Sequence, residues 1–416
     1  MKHVFVGFGF GPIQSGLFAK EAADSGRFSE IAVVEIDPSL VAAVRGNGDR
    51  YALNVAHADG VEAVTVEGVK LLNPNDASDL AQLRDALGRA TEIVTSLPSV
   101  DFYSRGGPTA VSRLIAEGLL ERGADQTVVY TAENNNHAAE ILEQDVAAAA
   151  AGRPLRPAQM LNTVIGKMSQ VIADPAEIAR RGLAPIAPGY PRAFLVEAFN
   201  RILVSRITLP GFAPGITQFE EKADLLPFEE AKLYGHNAAH TMLGFLGARC
   251  GAELLSDMRS RPQSLEVVRR AFLEESGAAL SACYGRLGDP LFTPEGFREY
   301  VDDLLARMTN PHLADTVARA TRDPLRKLGP SDRLFGAMRL CLAHGVEPAC
   351  WAAGALAGLC ALPEEHAAAG LLKRGQRLDA AGFETVLKGL WGEGCPADER
   401  SKIAGLLERA QGLWTH

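Results

Sequence analysis

The sequence predicts an α/β domain over residues 1–222 followed by a mainly α-helical domain over residues 223–416. Three observations predict it. Short β-type runs alternate with helical stretches through the first half, the pattern of βαβ units around a parallel sheet. A glycine-rich turn follows the first of those runs, at residues 7–11. After Phe219 the pattern changes, and from Pro227 onward helical spacing punctuated by Gly and Pro takes over.

Bulk properties agree with two folded domains. The chain has 416 residues, and at roughly 150 residues per domain that allows two or three. Hydrophobic residues make up 47% and charged residues 22%, as in globular proteins. The net charge of -9 argues against non-specific nucleic-acid binding, which needs a basic surface. A small anion can still be held by a local basic cluster. No run of about 18 apolar residues occurs and the N-terminus lacks a signal-peptide layout, so no membrane partner is expected. The six cysteines include no CxxC pair and lie in the C-terminal half. They are expected to be buried, reduced thiols of a cytoplasmic protein, with no disulfide framework and no metal site.

Along the first domain, Val4–Val6, Ile31–Ile36, Glu92–Ser96 and Thr127–Ala132 are the expected strands. Ile13–Ala23 and Val111–Leu120 are the expected helices, and Ala147–Ala151 the end of another. Residues 162–209 mix β-branched residues with Pro and Gly and are expected to add strands to the same domain.

The first strand runs into Gly7-Phe8-Gly9-Phe10-Gly11-Pro12 and then a helix. Gly7 can make the tight turn, and Gly9 lets the backbone approach a pyrophosphate favoured by the helix N-terminus. This is the Rossmann-type arrangement for a dinucleotide. Pro12 departs from GxGxxG, and the third glycine comes one place early. A proline in the first helical turn is tolerated, because its missing N–H has no helical partner to lose. Glu35 closes the second strand, where a carboxylate accepts from ribose hydroxyls and repels a 2′-phosphate, so the expected cofactor is NAD. The bland alternative is a glycine turn in an unrelated α/β protein.

In the second domain the segment Pro227-Phe228-Glu229-Glu230-Ala231-Lys232-Leu233-Tyr234-Gly235-His236-Asn237-Ala238-Ala239-His240 opens like a helix, with Pro and two acids in the first turn. At about 100° per residue, Glu229, Lys232, Asn237 and His240 fall within an arc of roughly 140°. Tyr234, Ala238, Met242 and Phe245 fall on the other side. An amine, an amide and an imidazole on one face suit alcohol oxidation: a lysine of lowered pKa takes the hydroxyl proton, amides stabilise the alkoxide, and histidine orients hydroxyls. Burial and nearby cations would lower the lysine from about 10.4 while Glu229 opposes, and the sequence leaves the balance open. An amphipathic helix with incidental polar residues has the same spacing.

Asn134 lies in an asparagine run after the Tyr130-Thr131-Ala132-Glu133 strand end, where open α/β sheets gather ligands; a turn-forming run is the alternative. Arg319, Arg322, Arg326 and Lys327 form a basic cluster that can bind phosphate or polyol oxygens, or simply sit in water at a helix end.

Together these segments resemble the polyol-specific long-chain dehydrogenases, the mannitol-1-phosphate 5-dehydrogenase and mannitol dehydrogenase group. The Lys-x4-Asn-x2-His pattern is met by Lys232, Asn237 and His240, and the strand-end pair by Glu133-Asn134. Phe272-Leu273-Glu274-Glu275-Ser276-Gly277, Asn310-Pro311-His312-Leu313 and Asp332-Arg333-Leu334 resemble the phosphate-using branch. The resemblance implies Lys232 as general base, Asn134 and Asn237 as oxyanion donors and His240 as a hydroxyl ligand. It further implies a proton-exchange role for Glu229, and substrate contacts from Arg319 and Lys327. Where the family often has Val-Asp-Arg this chain has Ile165-Gly166-Lys167, which opens the identity of the substrate. The implied reaction is hydride transfer between a polyol, such as mannitol 1-phosphate, and its ketose. A hexuronate reductase of the same family and a non-catalytic nucleotide-binding protein are the competing readings.

Overall fold

The computed structural model describes residues 3–121, 123–362 and 377–412. Contacts divide it into two compact units, Met1–Leu226 and Pro227–His416. Among the described residues no helix is long and apolar enough to cross a membrane.

The strands of the first unit, in chain order, are β1 (His3–Phe8), β2 (Phe28–Val34), β3 (Arg50–Ala56), β4 (Val61–Glu67), β5 (Val69–Leu72) and β6 (Glu92–Thr95). They continue as β7 (Thr127–Thr131), β8 (Ala158–Ile165), β9 (Ser169–Ile172), β10 (Ala193–Glu197), β11 (Ile202–Ser205) and β12 (Phe219–Lys222). The main sheet has the order β12-β11-β8-β7-β6-β1-β2-β5. From β5 to β8 every pairing is parallel, and β11 joins β8 antiparallel. The strand order reverses beside β1, between β2 and β6, and a dinucleotide crevice forms outside the carboxyl ends at such a point. The sheet is buried on both sides, so its strands read as continuous apolar runs. Phe5, Val33, Val94 and Val128 pack on one face, and Val6, Phe8, Ala32 and Val129 on the other.

Two features were not expected. A second sheet, β4-β3-β10-β9, stands beside the first. Its β3 and β4 form a hairpin whose outer strand is largely exposed, so it carries little of the apolar signal. The strand expected over Ile31–Ile36 also ends at Val34. Asp37 accepts from the backbone N–H of Ser39 and Leu40, and Pro38 starts the next helix, so Ile36 is turned out and 68% exposed.

The second unit is largely helical among its described residues, its longest uninterrupted α segments being Pro294–Met308 and Ala397–Gly412. Its core includes the buried Met242, Phe245, Phe272, Phe297, Phe335 and Trp351. All six cysteines are free, but Cys283 and Cys360 are exposed, which corrects the expectation that all six are buried.

Candidate active site

At the end of β1 the chain leaves the sheet through Gly9, whose φ of 83° favours glycine. A Cβ there would stand 2.6 Å from the Ser96 carbonyl oxygen. Gly7 is required for a different reason: a Cβ would collide with the Gln14 side chain, 1.9 Å away. Gly11 has nothing within 4 Å, so its want of a side chain leaves open space at the start of the helix. The close-packing role that a third glycine usually fills belongs to Gly16, where a Cβ would be 2.7 Å from Val196 Cγ1, and nothing in the sequence pointed to it. Phe8 and Phe10 are buried and anchor the turn from either side.

The helix that follows is not regular. It holds a π segment over Gln14–Ala19 before returning to α geometry at Lys20–Ser25. The Gln14 amide is fully buried and hydrogen-bonds to nothing. Glu35 follows β2, accepts from the Asp37 N–H through Oε1 at 2.8 Å, and leaves Oε2 for another donor. A left-handed glycine, an uncovered helix start and a carboxylate beyond β2 fit a dinucleotide held as the sequence predicts.

At the end of β7 the buried Glu133 accepts from Thr95 Oγ1 at 2.9 Å, from the Leu97 N–H at 2.8 Å and from the Tyr103 hydroxyl. Burial pushes its carboxyl up, and these three donors work against that. Glu133 thus pins the loop after β6 to the end of β7 and fixes the backbone from which the exposed Asn134 projects.

In the second unit one continuous helix spans residues 226–249, and its middle, Lys232–Asn237, is again a π segment. A π turn advances less per residue than an α turn, so Lys232 and Asn237, which α geometry would splay, come closer together on one side of the helix. The widened turn is held from outside. Gly235 lies so close to the Phe272 ring that a Cβ would be 2.3 Å from it. Ser276 donates to the Tyr234 carbonyl at 2.7 Å and accepts from Trp351 Nε1 at 3.0 Å. The opposite face is core: Ala238, Met242 and Phe245 are buried.

Burial pushes the Lys232 ammonium down to about 8; Glu229 opposes the fall and the Arg333 charge adds to it. The balance left open by the sequence therefore falls downward. His236, on the same π segment, is buried and held neutral by that burial and by the charges around it.

His240 donates from Nε2 to Asp315 Oδ2 at 2.7 Å. Asp315, 1% exposed, also receives Arg319 through Nε at 2.6 Å and Nη2 at 2.8 Å. Burial opposes ionisation of Asp315, yet the Arg319 guanidinium and His240 hold its carboxyl well below the usual range. With a carboxylate on Nε2, the His240 tautomer is fixed and Nδ1 is left as the other ring nitrogen. Gly244 makes this packing possible: its Cα lies against Ala320, where a Cβ would be 2.6 Å from the Ala320 Cβ.

The four cations of the basic cluster do not act as one set. Arg319 belongs to Asp315. Arg326 is shared by Asp323 at 2.7 Å and Asp332 at 3.2 Å. Arg322 is exposed. Lys327 is buried, donates to the Ala320 carbonyl at 2.7 Å, and is pushed down to about 8 by burial and by the Arg333, Arg326 and Arg322 charges. Asp315 was not singled out by sequence, and Arg333 entered only within the Asp332-Arg333-Leu334 stretch, with no role of its own. Asp315 and Arg319 are opposite charges at i,i+4, a spacing that could have found the pair. Nothing local distinguishes Arg333 from a solvated arginine.

The chain is similar to known proteins. Residues 224–370 match the mannitol dehydrogenase C-terminal domain family. A mannitol-1-phosphate 5-dehydrogenase of Bacillus licheniformis is 30% identical over 342 residues, covering 82% of this chain and 83% of its own. One of Pseudarthrobacter chlorophenolicus is 29% identical over 413 residues, covering 96% and 92%. Two solved structures share the fold at 16% identity. A D-sorbitol dehydrogenase in substrate-free form has a TM-score of 0.73, over 98% of this chain and 93% of its own. The Pseudomonas fluorescens mannitol 2-dehydrogenase ternary complex with NAD and D-mannitol has a TM-score of 0.67, over 99% and 92%.

Proposed function

The chain belongs to the mannitol dehydrogenase family, and we propose that it is an NAD-dependent dehydrogenase of a hexitol phosphate such as mannitol 1-phosphate, with fructose 6-phosphate as the ketose. One observation carries the catalytic part: the π turn brings Lys232 and Asn237 closer on one side of the helix, where burial pushes the lysine down to about 8. The phosphorylated substrate is taken from the two mannitol-1-phosphate 5-dehydrogenases it resembles.

In this reading Gly7, Phe8, Gly9, Phe10 and Gly11 shape the turn over which the pyrophosphate lies, and Glu35 receives the ribose. Bound NAD supplies the hydride acceptor. Lys232 in its neutral form takes the proton of the substrate hydroxyl. Asn237 donates its amide hydrogens to the alkoxide, and Asn134 is the second such donor carried over from the family pattern. His240, its tautomer set by Asp315, meets the neighbouring hydroxyls, and Arg319, held by the same carboxylate, contacts substrate beside it. Glu229 exchanges the proton that Lys232 collects. Free thiols suit a reducing compartment, and a cytoplasmic location goes with the proposal.

The test is a screen of hexitols, hexitol phosphates and hexuronates with NAD(H) and NADP(H), followed at the nicotinamide absorbance. Turnover of a hexitol phosphate with NAD is expected. Turnover of hexuronates alone would transfer the protein to the sugar-acid branch, and no turnover of any of them would leave the dehydrogenase reading without support.

A further inference from the structure

Arg319 and Arg326 hydrogen-bond carboxylates; Arg333 and Lys327 do not. The Arg333 side chain is 14% exposed, and its Nε and Nη1 are shut off from solvent with no hydrogen-bond partner. The Asp332 carboxylate stands 3.7 Å from Nε, beyond hydrogen-bonding distance. Lys327, 6% exposed, uses one ammonium hydrogen on the Ala320 carbonyl. Two more remain for another acceptor.

A buried guanidinium whose N–H groups lack acceptors is disfavoured, because an ion pair at 3.7 Å does not replace the hydrogen bonds to water that it has given up. Such a group persists where a ligand completes it. Two successive turns, Gly329 N–H to the Arg326 carbonyl and Asp332 N–H to the Gly329 carbonyl, join Lys327 to Arg333. The helix that Arg333 begins packs on the π segment at Gly336, where a Cβ would be 2.5 Å from the Tyr234 ring. The Arg333 charge accordingly pushes Lys327, Lys232 and His236 down. Arg319 and Arg326 are the contrast, each neutralised by Asp side chains at hydrogen-bond distance.

We infer that Arg333 and Lys327 form an anion subsite beside the lysine helix and receive the phosphate of a phosphorylated polyol. Two donors from different positions would grip two phosphate oxygens, and the planar guanidinium suits a phosphate better than a carbonyl. The exposed Arg322 and the carboxylate-bound Arg326 are then outside the subsite. The identity of the phosphate's carrier rests on the proposed polyol-phosphate reading; the subsite itself rests on the state of Arg333.

The experiment compares wild type, Arg333→Met and Arg333→Lys with a hexitol phosphate and with the plain hexitol, at the same pH near 8, where part of Lys232 is neutral and part of Lys327 still carries its charge. Inorganic phosphate is titrated calorimetrically into the same NAD-loaded proteins, and far-UV circular dichroism reports their folding. Arg333→Met is expected to raise KM for the hexitol phosphate about ten- to a hundredfold. KM for the plain hexitol should move less than about threefold and phosphate binding should vanish, with Arg333→Lys recovering part of both. Equal KM changes on both substrates overturn the inference. So does a change confined to kcat and its pH profile, since Arg333 would then act only on Lys232. Should wild type oxidise plain hexitols alone, the polyol-phosphate reading fails, and the calorimetry still decides the subsite: phosphate heat lost in Arg333→Met upholds it, and heat unchanged in that variant, or none in wild type, refutes it. If Arg333→Met does not fold, the same criteria apply to Arg333→Lys.

Discussion

Among the described residues three helices contain a π segment; two of these lie at the proposed cofactor and catalytic positions, and they use it differently. In the first unit the Gln14–Ala19 segment is wholly buried, and what the site offers there is backbone: a left-handed glycine, an open helix start and N–H groups. In the second unit the Lys232–Asn237 segment offers side chains, and the π turn decides which of them share a side of the helix. A backbone site needs little beyond its own few residues. A side-chain site needs partners from elsewhere: Asp315 for His240, Arg333 and Glu229 for Lys232, Phe272 and Ser276 for the turn itself.

The largest expected effect tests the side-chain half. Lys232→Ala should lower kcat for oxidation by about two to four orders of magnitude, the scale of losing a general base. NAD affinity, measured by fluorescence titration, should barely change. In wild type kcat/KM for oxidation should rise with pH and level off above about 8, because the base is the deprotonated amine and burial has lowered its pKa. The Ala variant should lack that step. Near-normal kcat in it would make Lys232 structural.

A smaller loss is expected from Asp315→Asn, which keeps the shape and removes the charge. His240 and Arg319 each lose a charge-assisted acceptor, worth about 1.5–3 kcal/mol where buried and less for the half-exposed Arg319. KM for polyols should rise about ten- to a hundredfold, with kcat reduced less and NAD binding unchanged. Equal loss in KM and in NAD affinity would point to damage spread through the fold and not to a misplaced imidazole.

This contrast also explains what was legible. The alternating strands and helices of the first unit, the glycine turn and the carboxylate after β2 could be read because each depends on a short run of residues. Lys232, Asn237 and His240 were found as a helix face, but α periodicity spread them over a wide arc that the π turn narrows. No sequence period announces a π turn, since it is imposed by Gly235 meeting Phe272 and by Ser276 reaching Tyr234. Asp315 is 75 positions from His240, so its role depends on chain folding. The basic cluster misled in the other direction: four neighbouring cations looked like one site, and the carboxylates that neutralise two of them were not counted.

A gentler probe of the backbone half is Glu35→Ala. The carboxylate repels a 2′-phosphate, and one of its oxygens is already committed to the Asp37 N–H. The preference for NAD over NADP, taken as the ratio of kcat/KM values, should narrow about tenfold, and kcat with saturating NAD should hold. Wild-type protein that binds NADP more tightly than NAD would reject this role for Glu35.

The smallest catalytic effect is expected at the other end of the sheet, where Glu92 starts β6 fully buried. It accepts from the Gly215 N–H at 2.5 Å and from the Tyr130 hydroxyl at 3.4 Å, with His3 Nδ1 at 3.6 Å. Burial pushes its carboxyl up to about 7, against the pull of the Gly215 and Ile216 N–H groups, Tyr130 and Arg27. His3 is itself lowered, first by burial, so it offers little positive charge in return. The sign follows from linkage. A carboxyl that holds its proton more tightly folded than unfolded destabilises the fold as pH rises between the unfolded value, about 4.3, and about 7. Below that window there is no penalty, and above it the penalty is complete. Glu92→Gln keeps an acceptor oxygen for Gly215 and cannot ionise. Its Tm relative to wild type should therefore climb by several degrees between pH 5 and pH 8, while kcat and KM stay within about twofold. Glu21, Glu133 and Glu275 are raised in the same direction and cancel in that difference, since both proteins carry them. A Tm difference flat with pH would mean that Glu92 stays charged, its backbone donors outweighing burial. A loss of activity in step with stability would show that this end of the sheet is not separable from the site.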